Sequence, residues 1–136
     1  MKIVLKESGI LPTRAHATDA GLDLYAPYGF KIGAHQRRKI DTGVCVELPA
    51  DTVGYIRSKS GMMARDGILT DGTIDEGYTG EIGVVLFNLS DQARYFQRGD
   101  KIAQLVVQPV LYPGVEVVES LAESERGACG FGSTGK

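Results

Sequence analysis

The chain has 136 residues, of which 43% are hydrophobic and 24% charged, and its formal net charge at pH 7 is −2. This length suits one domain with a hydrophobic core. The chain lacks the excess of basic residues that nucleic-acid-binding proteins have, so we expect no nucleic-acid partner. No apolar run is long enough to cross a bilayer, and none reads as a secretory signal. We therefore expect no membrane partner and a cytoplasmic location, with a nuclear or viral setting left open.

Short apolar runs follow one another along the chain, separated by glycine, proline, aspartate and asparagine. Runs spaced about ten residues apart are typical of all-β sandwiches and barrels, and 18 glycines suit many tight turns. We predict a single-domain, all-β fold, either a β-sandwich or a jelly-roll-like barrel. The predicted strands are residues 3–5, 22–25, 44–48, 53–56, 83–87, 102–110 and 115–118.

Two segments depart from this strand pattern. Residues 60–66 predict one very short helix, which Gly67 would end. Residues 125–136 are polar and rich in glycine, serine and threonine, so they cannot bury much apolar surface. We expect residues 1–124 to form the core and residues 125–136 to stay flexible until a contact orders them.

The cysteines and histidines do not form a metal-binding pattern. Cys45, Cys129, His16 and His35 stand apart, without the spacing of metal ligands. A structural zinc site needs four clustered ligands. No metal ligand is therefore assigned to the protein.

Two carboxylates stand out as candidates for chemistry. Asp75 lies in residues 72–80, which we predict to be a hairpin turning at Glu76 and Gly77. An acidic residue in a turn is usually only solvated, and Tyr78 could equally be a half-buried strand aromatic. Asp23 lies between two leucines. Both an outward-facing polar residue and a functional acid fit that position.

Two segments could bind anions. Lys59, Ser60 and Gly61 lie at the start of the predicted helix, where free N–H groups, a hydroxyl and a positive charge could hold a phosphate. A plain serine N-cap explains the same residues. The C-terminal segment offers Arg126, glycine-rich backbone N–H groups and two hydroxyls, although a disordered terminus has the same composition.

The combination and order of these segments carry more information than any one of them. Together they resemble the five-motif signature of the homotrimeric dUTP diphosphatases, the dUTPase family. The resemblance runs from about residue 10 to residue 135, and its third and fifth motifs are highly specific. The matching segments are residues 20–26 (AGLDLYA), 59–61 (KSG), 72–78 (GTIDEGY), 98–105 (RGDKIAQL) and 126–135 (RGACGFGSTG).

The resemblance implies an enzyme that hydrolyses dUTP to dUMP and pyrophosphate. This reaction limits uracil in DNA and supplies dUMP for thymidylate synthesis. Asp75 would activate the water that attacks the α-phosphorus. Thr73, Ile74 and Gly83 would contribute to the uracil site, where the fit excludes the thymine methyl. Tyr78 would pack on the deoxyribose and exclude a ribose 2′-hydroxyl.

The resemblance also assigns the phosphate end of the site. Lys59, Ser60 and Gly61 would bind phosphates, Gln104 would position water, and Asp23 would support that network. Mg²⁺ would be held by substrate phosphates and water, with no direct protein ligand. Residues 125–136 would close over the nucleotide as a lid. Its contacts would come from Arg126 on the γ-phosphate, Phe131 stacked on uracil, and Gly132, Ser133 and Thr134.

Two departures from the family pattern bear on these roles. Lys59 stands where the second motif usually has arginine, so the planar guanidinium with its paired hydrogen-bond donors is lost. Arg57 lies two residues earlier. The segment between Gly67 and Gly72 is shorter than in many relatives, which leaves the contact to the sugar 3′-hydroxyl unassigned. The family's active sites combine motifs from different subunits, so the resemblance also implies a homotrimer.

Two other functions fit the same fold. A dCTP deaminase would share it, but deaminases generally run longer and use a different set of catalytic acids. A catalytically silent nucleotide-binding regulator would keep the fold without turnover. The tyrosine of the third motif and the complete fifth motif favour the diphosphatase.

Overall fold

The computed structural model describes residues 1–129, which form ten strands and one short helix and confirm the predicted all-β fold. All strand pairs are antiparallel. The elements are β1 (Lys2–Leu5), β2 (Gly21–Tyr25), β3 (Phe30–Ile32), β4 (Arg37–Glu47), β5 (Thr52–Arg57), α1 (Ser60–Asp66), β6 (Ile68–Leu69), β7 (Asp71–Ile74), β8 (Glu81–Asn88), β9 (Arg94–Phe96) and β10 (Lys101–Pro109).

Two four-stranded sheets enclose the core. One has the order β1-β4-β8-β6 and the other β2-β10-β5-β7, while β3 and β9 form a separate two-stranded ribbon. Strand β8 shows the expected alternation, since Ile82, Val84 and Leu86 are fully buried between more exposed neighbours. Leu105 and Ile56 contribute from the facing sheet. The packing of the two apolar sheet faces holds the strands that carry the candidate site residues.

The chain changes sheets around the segment that carries Asp75. Strand β6 pairs with β8 in the first sheet, whereas β7 pairs with β5 in the second. The predicted turn at Glu76 and Gly77 is present, because the Tyr78 N–H donates to the Asp75 carbonyl at 3.0 Å. The predicted hairpin is wrong, since β7 and β8 belong to different sheets and do not pair. The turn joins the two layers instead.

The short helix forms where predicted. Helix α1 ends at Gly67, whose left-handed φ of 65° lets its N–H cap the Met62 and Met63 carbonyls. The N-cap residue is Lys59, which is extended and makes no side-chain cap. Ser60 is therefore the first helical residue rather than the cap.

The predicted strand at residues 115–118 is absent. No regular element follows β10 up to residue 129, and Val115 and Val117 are 96% and 94% exposed. The segment alternates as a strand would, but no strand within residues 1–129 pairs with it. Within residues 1–129, no helix has the length and apolarity needed to cross a membrane.

Candidate active site

The Asp75 turn presents an uncompensated carboxylate at the junction between the sheets. Asp75 directly follows β7 and is exposed. Among residues 1–129 its side chain makes no hydrogen bond and no ion pair. Such a carboxylate is available to accept a proton from a bound water molecule.

Strands β7 and β8 lead from this turn into different sheets and do not pair with each other, and we call the space between them the slot. Thr73 and Ile74 pair only with β5, and Gly83 pairs only with Asp41 of β4. In the described part of the chain, β7 therefore keeps one edge without a ladder partner, and β8 does so around Gly83, since β6 pairs only with Phe87 and Asn88. Free N–H and C=O groups on two facing edges can read the polar edge of a planar base.

Tyr78 lies next to the slot. Its hydroxyl donates to the Glu81 carbonyl at 2.9 Å, and the side chain remains 44% exposed. The ring packs directly over Gly80, where an added Cβ would lie 2.6 Å from Tyr78 Cζ. The absence of a side chain at Gly80 leaves room for the ring, and the exposed face of the ring can take a sugar.

A cleft of about 310 Å³ lies at the start of α1, separate from the slot. Its lining includes four residues that the sequence had indicated as candidates. It also includes Arg65 and Lys101, which the sequence had not indicated. Three cationic side chains in one cleft favour a polyanionic ligand. The lining residues are Lys59, Ser60, Gly61, Met62, Arg65, Lys101 and Gln104.

Strand register places Gln104 between β2 and β5, in the lining of this cleft. Gln104 pairs with Asp23 on one side and Arg57 on the other. Its side-chain amide donates to the Ser58 carbonyl at 3.2 Å. Gly21 makes room for it, since an added Cβ there would lie 2.2 Å from Gln104 Oε1.

Asp23 is buried beneath the cleft and is only 5% exposed, so the outward-facing alternative is wrong. Its carboxylate binds Lys59, and Lys101 Nζ lies 2.7 Å from its Oδ2. Burial raises the pKa of Asp23, but the hydrogen bonds and charges of Lys101 and Lys59 outweigh it and hold the pKa below its ordinary value. The same hydrogen bond raises the pKa of Lys101. Asp23 is therefore an anion that fixes two lysines.

Arg57 does not replace the missing motif arginine in the cleft. Its guanidinium pairs with Asp71 and lies 4.7 Å from the Tyr55 ring centroid. Arg126 is exposed and donates to the Cys129 carbonyl at 3.0 Å. The predicted contacts of Phe131, Gly132, Ser133 and Thr134 lie outside the described residues.

The slot and the cleft lie at opposite ends of β5. Ile74, just before Asp75, pairs with Gly54, whereas Arg57, just before the cleft residues, pairs with Asp71. At about 3.3 Å per residue, the five residues from Gly54 to Lys59 separate the two parts by on the order of 15 Å. One chain therefore does not place the Asp75 carboxylate beside its own Gln104.

Comparison with known proteins identifies the family. A family model described as dUTPase matches residues 7–135. The deoxyuridine 5′-triphosphate nucleotidohydrolase of Clostridium novyi (strain NT) is 44% identical over 141 residues, covering 99% of this chain and 99% of that protein. The mitochondrial deoxyuridine 5′-triphosphate nucleotidohydrolase of Homo sapiens is 41% identical over 133 residues, covering 97% of this chain and 53% of that protein.

Solved structures agree with this assignment. The Staphylococcus bacteriophage 80alpha dUTPase with dUPNHPP matches with a TM-score of 0.93 at 28% identity, over 99% of this chain and 98% of that one. A dUTPase from phage phi11 of S. aureus, described as coordinating a structural Mg(II) ion, matches with a TM-score of 0.83 at 26% identity, over 90% of this chain and 98% of that one. From its sequence and its fold alike, the chain belongs to the dUTPase family.

Proposed function

We propose that this chain hydrolyses dUTP to dUMP and pyrophosphate, and so limits uracil in DNA and supplies dUMP for thymidylate synthesis. The observation that carries the proposal is the uncompensated Asp75 carboxylate beside the slot between β7 and β8. The family match over residues 7–135 supports it. An enzyme acting on the nucleotide pool also fits the expected cytoplasmic location.

Asp75 acts as the general base. It accepts a proton from a water molecule as the water oxygen forms a bond to the α-phosphorus. The bond from that phosphorus to the bridging α–β oxygen breaks, and pyrophosphate leaves. A positioned carboxylate contributes about 10²–10⁴-fold to such a step. Holding the phosphates in line and stabilising their charge supply the remainder.

The slot provides base selectivity. Backbone groups of Thr73, Ile74 and Gly83 pair with the uracil edge, and the fit of the slot excludes a 5-methyl group. A site whose buried polar groups need matching partners rejects cytosine strongly, because a mismatch leaves those groups unpaired. Tyr78 packs on the deoxyribose and excludes a ribose 2′-hydroxyl.

The cationic cleft binds the triphosphate. Ser60 and Gly61 contact phosphate oxygens, Lys59 and Lys101 supply positive charge, and Gln104 positions water. Asp23 supports the cleft by holding both lysines in place.

Mg²⁺ enters as part of the substrate. Within residues 1–129 no three Asp, Glu, His or Cys side chains converge on one point, and the one buried acid of the cleft is already bound by two lysines. Mg²⁺ keeps several waters and readily binds phosphate oxygens. These residues fit a metal carried by the triphosphate better than one held by the protein.

The active unit is a homotrimer, in which neighbouring chains complete each site. The separation of the Asp75 turn from the cleft in one chain supports this assembly. A second support is the apolar segment after β10, where Leu111 and Leu121 are 88% and 87% exposed. Contiguous exposed apolar side chains mark interaction surfaces.

The C-terminal residues form a lid. Residues 1–124 make the core and residues 125–136 close over the bound nucleotide, with Arg126 on the γ-phosphate and Phe131 on uracil. Gly132, Ser133 and Thr134 add backbone and hydroxyl contacts. The family match extends to residue 135, which supports a role for this segment. Closure excludes bulk water and strengthens the charge interactions within the site.

Hydrolysis in ¹⁸O-labelled water tests the reaction. We expect the label in dUMP and none in pyrophosphate, because the water attacks the α-phosphorus. Label in pyrophosphate would place the attack on another phosphorus. Incubation with dCTP in parallel should release no ammonia; ammonia would indicate the deaminase, and nucleotide binding without any product would indicate the silent regulator.

A further inference from the structure

The Glu76 side chain ties the catalytic turn to two other segments. Its Oε2 accepts a hydrogen bond from the Asp51 N–H at 3.0 Å and another from the Tyr112 hydroxyl at 2.9 Å. Asp51 lies in the turn between β4 and β5, and Tyr112 lies after β10. One carboxylate oxygen therefore joins three segments that are distant in sequence.

A third hydrogen bond closes this arrangement. The Val110 N–H donates to the Asp51 carbonyl at 2.9 Å. Asp51 has a left-handed φ of 57°, and its two backbone groups bind the turn and the segment after β10 respectively. A cleft of about 310 Å³ lies among these segments, and Asp75, Glu76, Val110 and Tyr112 are in its lining.

The charge state of Tyr112 agrees with its role as a donor. The hydrogen bond to Glu76, with some burial, raises the pKa of Tyr112 above its ordinary value. The phenol therefore keeps its proton throughout the neutral range. Hydrogen bonds to a carboxylate are stronger than those between neutral groups.

We propose that Glu76 and Tyr112 are positioning residues that hold the Asp75 turn in its productive orientation. This inference rests on the proposed role of Asp75 as general base. Asp75 has no side-chain partner among residues 1–129, so only the backbone of its turn directs its carboxylate. Glu76 is the next residue, and its bonds fix that backbone. Through Tyr112, the segment after β10 is bound to the same turn.

Steady-state kinetics on paired variants tests the proposal. Tyr112→Phe removes one hydroxyl, and Glu76→Ala removes both bonds. Displacement of a catalytic group by about 1 Å costs up to about 100-fold, so we expect kcat to fall about tenfold in Tyr112→Phe and further in Glu76→Ala. Affinity for a non-hydrolysable dUTP analogue should stay within about twofold. Glu76→Gln, which keeps an oxygen acceptor, should recover most of the kcat.

Tyr95→Phe is the matched control, because Tyr95 is 72% exposed on β9 and lies away from both clefts. It should leave kcat unchanged. Hydrogen exchange gives a readout independent of turnover: the Tyr78 and Asp51 amides should exchange faster in Tyr112→Phe, while core amides of β8 should not change.

The possible outcomes separate this inference from the proposed function. Normal kcat and unchanged Tyr78 exchange in both Tyr112→Phe and Glu76→Ala would overturn the positioning role, even if Asp75→Asn is inactive. Equal loss of analogue affinity and kcat would also overturn it, since that result indicates general disruption of the site. Normal turnover in Asp75→Asn would instead refute the role of Asp75 as general base, and a wild-type protein that does not hydrolyse dUTP would refute the proposed function.

Discussion

Replacement of Asp23 by asparagine should destabilise the protein in a pH-dependent way. Asp23 is 5% exposed and binds Lys59 and Lys101. Removing one partner of a buried ion pair costs about 3–5 kcal/mol, because the remaining charge is uncompensated. Both lysines keep partial access to solvent, with side chains 27% and 43% exposed, so screening lowers the expected cost to about 1–3 kcal/mol.

The pH dependence follows from the direction of the pKa shift. The pKa of Asp23 in the folded protein lies below the ordinary value of 3.8. Its stabilising contribution is therefore complete above that ordinary value and is lost as the pH falls through the folded pKa. The difference in unfolding free energy between wild type and Asp23→Asn should be constant from about pH 5 to pH 8 and shrink on acidification.

Denaturant unfolding of both proteins at one fixed protein concentration measures this difference, since oligomer stability depends on concentration. Asp91→Asn is the control, because the Asp91 side chain is 96% exposed and, among residues 1–129, pairs only with His35. It should change stability by less than about 0.5 kcal/mol. Equal stability of wild type and Asp23→Asn at pH 7, or a difference that persists unchanged in acid, would refute the electrostatic account of Asp23.

Three further predictions concern the cleft, the lid and the assembly. Gly21→Ala should displace the Gln104 side chain and lower kcat, whereas Gly114→Ala, where no atom of the described residues lies within 4 Å of the added Cβ, should not. Normal kinetics of Gly21→Ala would remove Gln104 from its water-positioning role. Truncation after Glu125 should leave the oligomer folded by circular dichroism but abolish most turnover, and normal turnover would exclude the lid. Val117→Asp, at a site 94% exposed in the single chain, should weaken assembly in light scattering, while a stable trimer would place the interface elsewhere.

Local sequence patterns predicted the elements that local forces determine. The alternation in β8 and β10 matches two apolar sheet faces, and Gly67 ends α1 because its left-handed φ suits glycine. The order of the five motifs identified Asp75, Tyr78 and Gln104 as candidates, because the family resemblance constrains residue types at fixed positions.

Features that depend on contacts between residues far apart in the sequence were not predicted. The hairpin expected around Asp75 is absent, because β7 pairs with β5 and the chain crosses between sheets. Lys101 joins the cleft only because β10 lies beside β2, which no local pattern encodes. The alternating segment at residues 115–118 has the pattern of a strand, but a strand needs a partner, and the described residues 1–129 supply none.

The central claim is that the Asp75 carboxylate activates the attacking water. Single-turnover hydrolysis of Mg–dUTP by Asp75→Asn tests it most directly, with Asp91→Asn as the matched loss of an exposed carboxylate. We expect Asp75→Asn to bind a non-hydrolysable dUTP analogue with near-normal affinity and to hydrolyse dUTP about 10²–10⁴-fold more slowly, as loss of a general base requires. Hydrolysis by Asp75→Asn at the wild-type rate would contradict the claim.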